Sequence, residues 1–105
     1  MDREKMNIAL EIDSTLTQLD LGWQNIGDEG AKSISRGLEI NSTLAQLFLA
    51  STHTGTEGVK SISRALEINS TLTQLNLSNN NIGDEGAKSI SQSRTEKEIQ
   101  QSSLE

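Results

Sequence analysis

"LTQLDLGWQNIGDEGAKSIS" occupies Leu16–Ser35 and "LTQLNLSNNNIGDEGAKSIS" occupies Leu72–Ser91, while "LAQLFLASTHTGTEGVKSIS" at Leu44–Ser63 keeps their frame and changes their middle. Aligned on itself, the chain shows a 28-residue period, with units 14–41, 42–69 and 70–91; residues 14–35 and 70–91 agree at 18 of 22 positions. Self-similarity at a fixed period of this size means stacked supersecondary units, each burying its apolar face against its neighbours. Inside one unit the apolar spacing switches. Leu19 and Leu21 flank Asp20 with the alternation of a short strand, and Ala31, Ile34 and Leu38 then recur at helical spacing. Gly27 turns the chain between them, with Asp28 as the expected helix N-cap. The middle unit fills the same roles with Leu44, Leu47, Leu49, Gly55, Thr56 as cap, Val59, Ile62 and Leu66.

Stacking explains how the composition can support a fold. Only 32 % of the 105 residues are hydrophobic, which would leave a conventional globular core thin. With no Cys, neither a disulfide framework nor a thiolate metal site can hold the chain. The formal charge of −6 argues against nucleic acid and against an anionic membrane surface, both of which need a basic patch. No apolar run reaches membrane-spanning length, and the N-terminus lacks the pattern of a signal peptide. A cytoplasmic location, or export as an effector without a recognisable signal, is the expectation.

Each copy matches LxxLxLxx(N)x(I/L)G followed by an amphipathic helix, and so resembles the 28-residue leucine-rich repeat of the ribonuclease-inhibitor type. Similar repeats occur in Ran GTPase-activating proteins and in the sensing halves of nucleotide-binding immune receptors. The resemblance implies an α/β fold, a right-handed solenoid with a short parallel sheet on the concave face and helices on the convex face. Two positions depart from the pattern. The turn residue that is usually Asn is Gln24, Thr52 and Asn80, so a continuous asparagine ladder is not expected there. The buried aliphatic position is Ile26, Thr54 and Ile82, and the polar Thr54 predicts a looser turn over 52–55.

The ends differ from each other. Met6, Leu10 and Ile12 fall in register with Ile34, Leu38 and Ile40, so residues 1–13 read as an N-terminal capping helix. Residues 92–105 read as a polar tail, because Arg94 and Glu96 stand where the frame asks for apolar residues. On this reading no unit covers the third strand, which leaves an edge open to pairing with another chain.

Catalysis finds no support in the residue types. His53 is the only histidine, and no nucleophile, base and orienting group recur together, so no catalytic residue, metal or cofactor is expected. The Gly-rich "NIGDEG" precedes a helix but carries carboxylates where an anion would sit, which favours helix-dipole compensation over phosphate binding. Asn41-Ser42-Thr43 and Asn69-Ser70-Thr71 fit a glycosylation pattern but recur because the unit recurs, and read as turns. Lys32, Lys60, Lys88, Arg36 and Arg64 lie beside acidic residues and read as a solvated convex face.

The surface left for function is the concave sheet and its rim. Gln18, Gln46 and Gln74 are identical across copies and suit an amide ladder; Asp20, Phe48 and Asn76 form one variable row and Trp23, Ser51 and Asn79 another. The only Phe and the only Trp stand where the scaffold asks for nothing apolar, and exposed aromatics are favoured interface anchors. The expected site is therefore Phe48 and Trp23 as anchors with Asp20, Gln46, Asn76 and Asn79 around them, binding a protein partner. The alternatives are a regulator like the GTPase-activating relatives and a self-assembling repeat fragment, a homodimer through the C-terminal edge or the concave face.

Overall fold

A computed structural model of the chain describes residues 16–93 and the backbone of 98–100. The expected N-terminal helix at 1–13, and Arg94 and Glu96 of the tail, lie outside these residues. The elements run β1 (Gln18–Asp20), α1 (Gly27–Ile40), β2 (Gln46–Phe48), α2 (Thr56–Ile68), β3 (Gln74–Asn76), α3 (Gly83–Ser91) and β4 (Glu98–Gln100). The strands form one parallel sheet in the order β1-β2-β3-β4. The helices cross over on one side of it, as a chain alternating between the two periods must to return parallel.

Register follows the repeat. Leu19 pairs with Leu47 and Leu47 with Leu75, while Asp20, Phe48 and Asn76 align one residue later. The central leucine of each strand thus faces the helices, and its neighbours face away. Leu47, Leu49, Leu44, Leu75 and Leu77 are buried against Ile34, Leu38, Val59, Ile62 and Leu66 of the helices, in one continuous core between the two layers. Ser35 and Ser63 are also buried, and their hydroxyls donate to Ala31 O (2.8 Å) and Val59 O (2.9 Å) one turn back.

At the C-terminal end the structure corrects the expectation of an uncovered third strand. β4 pairs with β3 in parallel, Leu75 opposite Ile99, so an edge strand forms within the stretch read as a polar tail. Its offset from β3 is 24 residues, Gln74 to Glu98, rather than 28, which is why the repeat frame misses it.

The turns that close each unit are held by Asn41 and Asn69, at the positions the sequence reads as turns. Asn41 Oδ1 accepts from Thr43 N (2.9 Å) and Leu44 N (2.7 Å), and Asn69 Oδ1 does the same with Thr71 N (3.0 Å) and Leu72 N (2.8 Å). Asn69 Nδ2 then donates backwards to Leu38 O (2.8 Å) and Asn41 O (2.9 Å), tying one unit to the last. Both asparagines are buried, as structural turn residues should be.

Candidate functional site

The sheet face and its rim are built by what happens just beyond each strand. Backbone pairing runs on past the strand ends: Leu21 N donates to Phe48 O (2.9 Å), Leu49 N to Asn76 O (2.8 Å), Trp23 N to Ala50 O (2.9 Å) and Ser51 N to Ser78 O (3.0 Å). The chain then turns at Trp23, Ser51 and Asn79, whose φ values are 66°, 56° and 58°. This left-handed conformation is natural for Asn and unfavourable for a bulky residue. Asp20 and Asn76 prepare the turn, each accepting from the backbone two residues on, at Gly22 N (2.9 Å) and Ser78 N (2.8 Å). Phe48, at the same position, cannot make that bond.

Two surfaces result. On the sheet face, Gln46 Nε2 donates to Gln74 Oε1 at 2.5 Å, so that part of the expected amide ladder exists, and half-buried Phe48 lies between Asp20 and Asn76. At the rim, Asn79 Nδ2 donates to Ser51 Oγ (2.6 Å), and Trp23 is 81 % exposed. A ring so exposed is not a shield over the neighbouring unit. Trp23, Ser51, His53 and Asn79 line an open depression of about 580 Å³, floored by Thr54, Gly55 and Asn80 and bordered by Asp28 and Asn81. Of the six residues expected to form one site, the depression gathers Trp23 and Asn79; Asp20, Gln46, Phe48 and Asn76 stay on the strands. Asp28 joins from a position that sequence reading gave to capping, and Asn81 from one to which it gave no role. His53 is exposed and stands in the depression.

The middle unit's loop differs in conformation as well as in sequence. Gly27 and Gly83 take φ of 69° and 72°, whereas Gly55 is extended at −103° and His53 adopts 62° instead. This loop holds the Thr52–Thr54 pair. Both are completely buried, and their hydroxyls lie 3.0 Å apart while Thr52 Oγ1 donates to Leu49 O (2.8 Å). Asn80 of the next unit reaches back: its Oδ1 accepts from Thr52 N (3.0 Å) and Thr54 N (3.1 Å), and its Nδ2 donates to Leu49 O (2.8 Å) and Leu77 O (3.0 Å). The looser turn expected at 52–55 is thus corrected, because each polar group that replaces packing has a bonded partner.

Capping is corrected in the same sense. Among the described helices no side chain caps its own; the position before α1 is Ile26, that before α2 is Gly55 and that before α3 is Ile82. Asp28 Oδ1 instead accepts from Gly55 N (2.6 Å) and Gly58 N (3.1 Å), so its carboxylate caps the helix of the following unit. Thr56, replacing Asp at that position, donates to Ile82 O (2.8 Å) across the next junction. The acidic residues compensate helix dipoles where the spacing puts them, with Asp28 and Glu29, Glu57, and Asp84 and Glu85 in the first turns of their own helices, and Asp28 in addition caps the next helix.

With this geometry in view, known proteins give the frame. A family model described as leucine-rich repeat matches residues 13–35 and 69–91, the two near-identical copies, and leaves the altered middle unmatched. The chain is built of leucine-rich repeats. A comparison with curated proteins finds no match. Among solved structures, the chain is similar to leiomodin-1 actin-binding site 2, at 26 % identity and a TM-score of 0.82 over 95 % of this chain and 63 % of that one. The tropomodulin C-terminal domain of Caenorhabditis elegans follows the same path, at 19 % identity and a TM-score of 0.72 over 86 % of this chain and 55 % of that one. The second likeness is one of fold. The chain spans less than two thirds of the length of either. Among the described residues of this leucine-rich-repeat solenoid, no helix is long and apolar enough to cross a membrane, and no cluster of three metal-ligating side chains occurs.

Proposed function

We propose that this solenoid is a non-enzymatic protein-binding module, engaging its partner over the row Asp20–Phe48–Asn76, with Gln46 beside it, and over the rim at Trp23 and Asn79. The observation that carries the reading is Trp23. Its ring is 81 % exposed on a residue held at a φ of 66°, a combination that costs the scaffold stability and gives it no packing in return. A displayed library of folded domains and peptides, panned on the full chain and on a Phe48→Ala/Trp23→Asn double variant, tests it. Binders enriched on the parent and lost on the double variant support the module. Binders indifferent to both changes, or no enrichment, overturn it.

The likeness to leiomodin-1 actin-binding site 2 favours a second reading, in which the partner is actin. Titrating monomeric actin against the parent and the same double variant decides that reading separately. Saturable binding weakened by the double variant supports it; no binding removes actin and leaves the module open to another protein. Self-association through the sheet face remains the rival arrangement, and sedimentation across a concentration series with Phe48→Ala distinguishes it.

A further inference from the structure

Across the three repeats the strands and rim loops carry charge of one sign, which selects the kind of segment able to dock beside Trp23. Residues 16–31, 44–59 and 72–87, which hold every strand, every strand-to-helix loop and the start of every helix in the three repeats, contain no Lys or Arg. They do contain Asp20, Asp28, Glu29, Glu57, Asp84 and Glu85. The lysines begin at the next residue of each helix, where Lys32 pairs with Glu29 (3.6 Å) and Lys60 with Glu57 (3.8 Å) on exposed helix surface.

The depression sits at this rim with three features suited to a cation. The first is the Trp23 ring, the only tryptophan in the chain and almost free of protein contact; an indole face attracts ammonium and guanidinium groups. The second is Asp28, half buried in the border of the depression. Its Oδ1 is taken by Gly55 N and Gly58 N, and its Oδ2 has no donor among the described residues. The third is the remaining lining, Ser51, Asn79 and Asn81, which is polar and uncharged and so opposes neither sign. His53 is the one ionisable neighbour of Asp28 along the lining.

We propose that the depression beside Trp23 takes a Lys or Arg side chain from a basic segment of the partner, with Trp23 as the cation–π platform, Asp28 supplying the counter-charge and Asp20, outside the depression on β1, adding to the negative field of the surface. The inference rests on the protein-binding reading above and narrows its partner to a segment rich in Lys or Arg. It also uses the repeat as its own control. The third repeat carries Asn79 and Asn76 where the first carries Trp23 and Asp20, so Trp23→Asn and Asp20→Asn install residues the scaffold already accommodates at those positions.

The test is fluorescence anisotropy of three labelled octapeptides of alternating Gly and Lys, Gly and Ser, or Gly and Glu, titrated with the full chain at low and physiological salt. The Lys peptide is expected to bind, to weaken several-fold as salt rises, and to shift the Trp23 emission to shorter wavelength. Trp23→Asn, which leaves net charge unchanged, is expected to weaken it about tenfold. Asp28→Asn keeps the acceptor for Gly55 and Gly58 while removing the charge, and should weaken it further. Three results would overturn the proposal: no binding of the Lys peptide, equal binding of the Ser peptide, or Lys binding that Trp23→Asn leaves intact, which would mean attraction to net charge alone. A Ser or Glu peptide bound at Trp23 would sink the cationic site while leaving the protein-binding module standing.

Discussion

Replacing Asn80 by Ala tests whether the altered middle loop is held by its neighbour. Asn80 is 4 % exposed, and its side chain is the acceptor for two backbone N–H groups, those of Thr52 and Thr54, in a turn that is itself buried. Alanine leaves both N–H groups without that partner in a space that excludes water. Each stranded group costs about 1–3 kcal/mol. The carbonyls of Leu49 and Leu77 also lose a donor, but Leu49 O keeps Thr52 Oγ1, so their share is smaller. The sum is about 3–5 kcal/mol, a large part of the roughly 5–15 kcal/mol that holds a small domain. Urea unfolding followed by far-UV circular dichroism measures it, with an unchanged m-value as the sign that both states are the same species. A thermal midpoint lower by about 15 °C or more is the matching result. Asn81→Ala, one residue on and exposed, is the control and should fall within about 0.5 kcal/mol of the parent. If Asn80→Ala costs less than about 1 kcal/mol, the loop is not held by the third repeat and the reasoning fails.

Further expectations rest on the same geometry. Gly27→Ala and Gly83→Ala should each lose about 1–2 kcal/mol in the same urea assay through their left-handed φ, with Gly27 losing it although no atom lies within 4 Å of the added Cβ. Gly55→Ala should lose less despite matching those glycines in the repeat, because its backbone is extended. Gly58→Ala places a Cβ at 2.8 Å from Asp28 Oδ1 and 2.9 Å from both Ala31 Cβ and Thr54 Cγ2; it should cost about 1–3 kcal/mol, whereas Gly86→Ala, 3.1 Å from Ile82 Cβ, should be milder. Differential scanning calorimetry of the pair checks the order. Asp28→Ala should destabilise by about 1–2 kcal/mol and Asp28→Asn by much less, since asparagine retains an oxygen for Gly55 N and Gly58 N; amide hydrogen exchange at those two residues reads the loss directly.

Much of this solenoid is legible in periodicity. Leu19, Leu47 and Leu75 pair in the sheet, and Ile34, Leu38, Ile62 and Leu66 are buried on the helices, because alternation and helical spacing each leave one apolar face that only stacking can cover. The variable row Asp20–Phe48–Asn76 and the turn row Trp23–Ser51–Asn79 are legible for the same reason, since equal positions in successive units must line up. The site as a concavity was not. Trp23 and Asn79 share a depression with His53 and Asp28, while Phe48 stays on the strand, because the loops bend away from the sheet at residues whose left-handed φ no spacing rule announces.

By itself, then, the chain's order of residues determined the repeat, the alternation of strand and helix, and the apolar core. Only the tertiary structure decided which partner each polar group meets. Asp28 caps the helix of the next unit, Asn80 reaches back to Thr52 and Thr54, Asn69 binds Leu38 O, and β4 closes on β3 at an offset of its own. The physical reason is common to all four. Apolar burial is non-directional and can be read from one unit's pattern, whereas a hydrogen bond needs a particular donor facing a particular acceptor, and here those atoms lie about one repeat apart in the chain and side by side only after stacking.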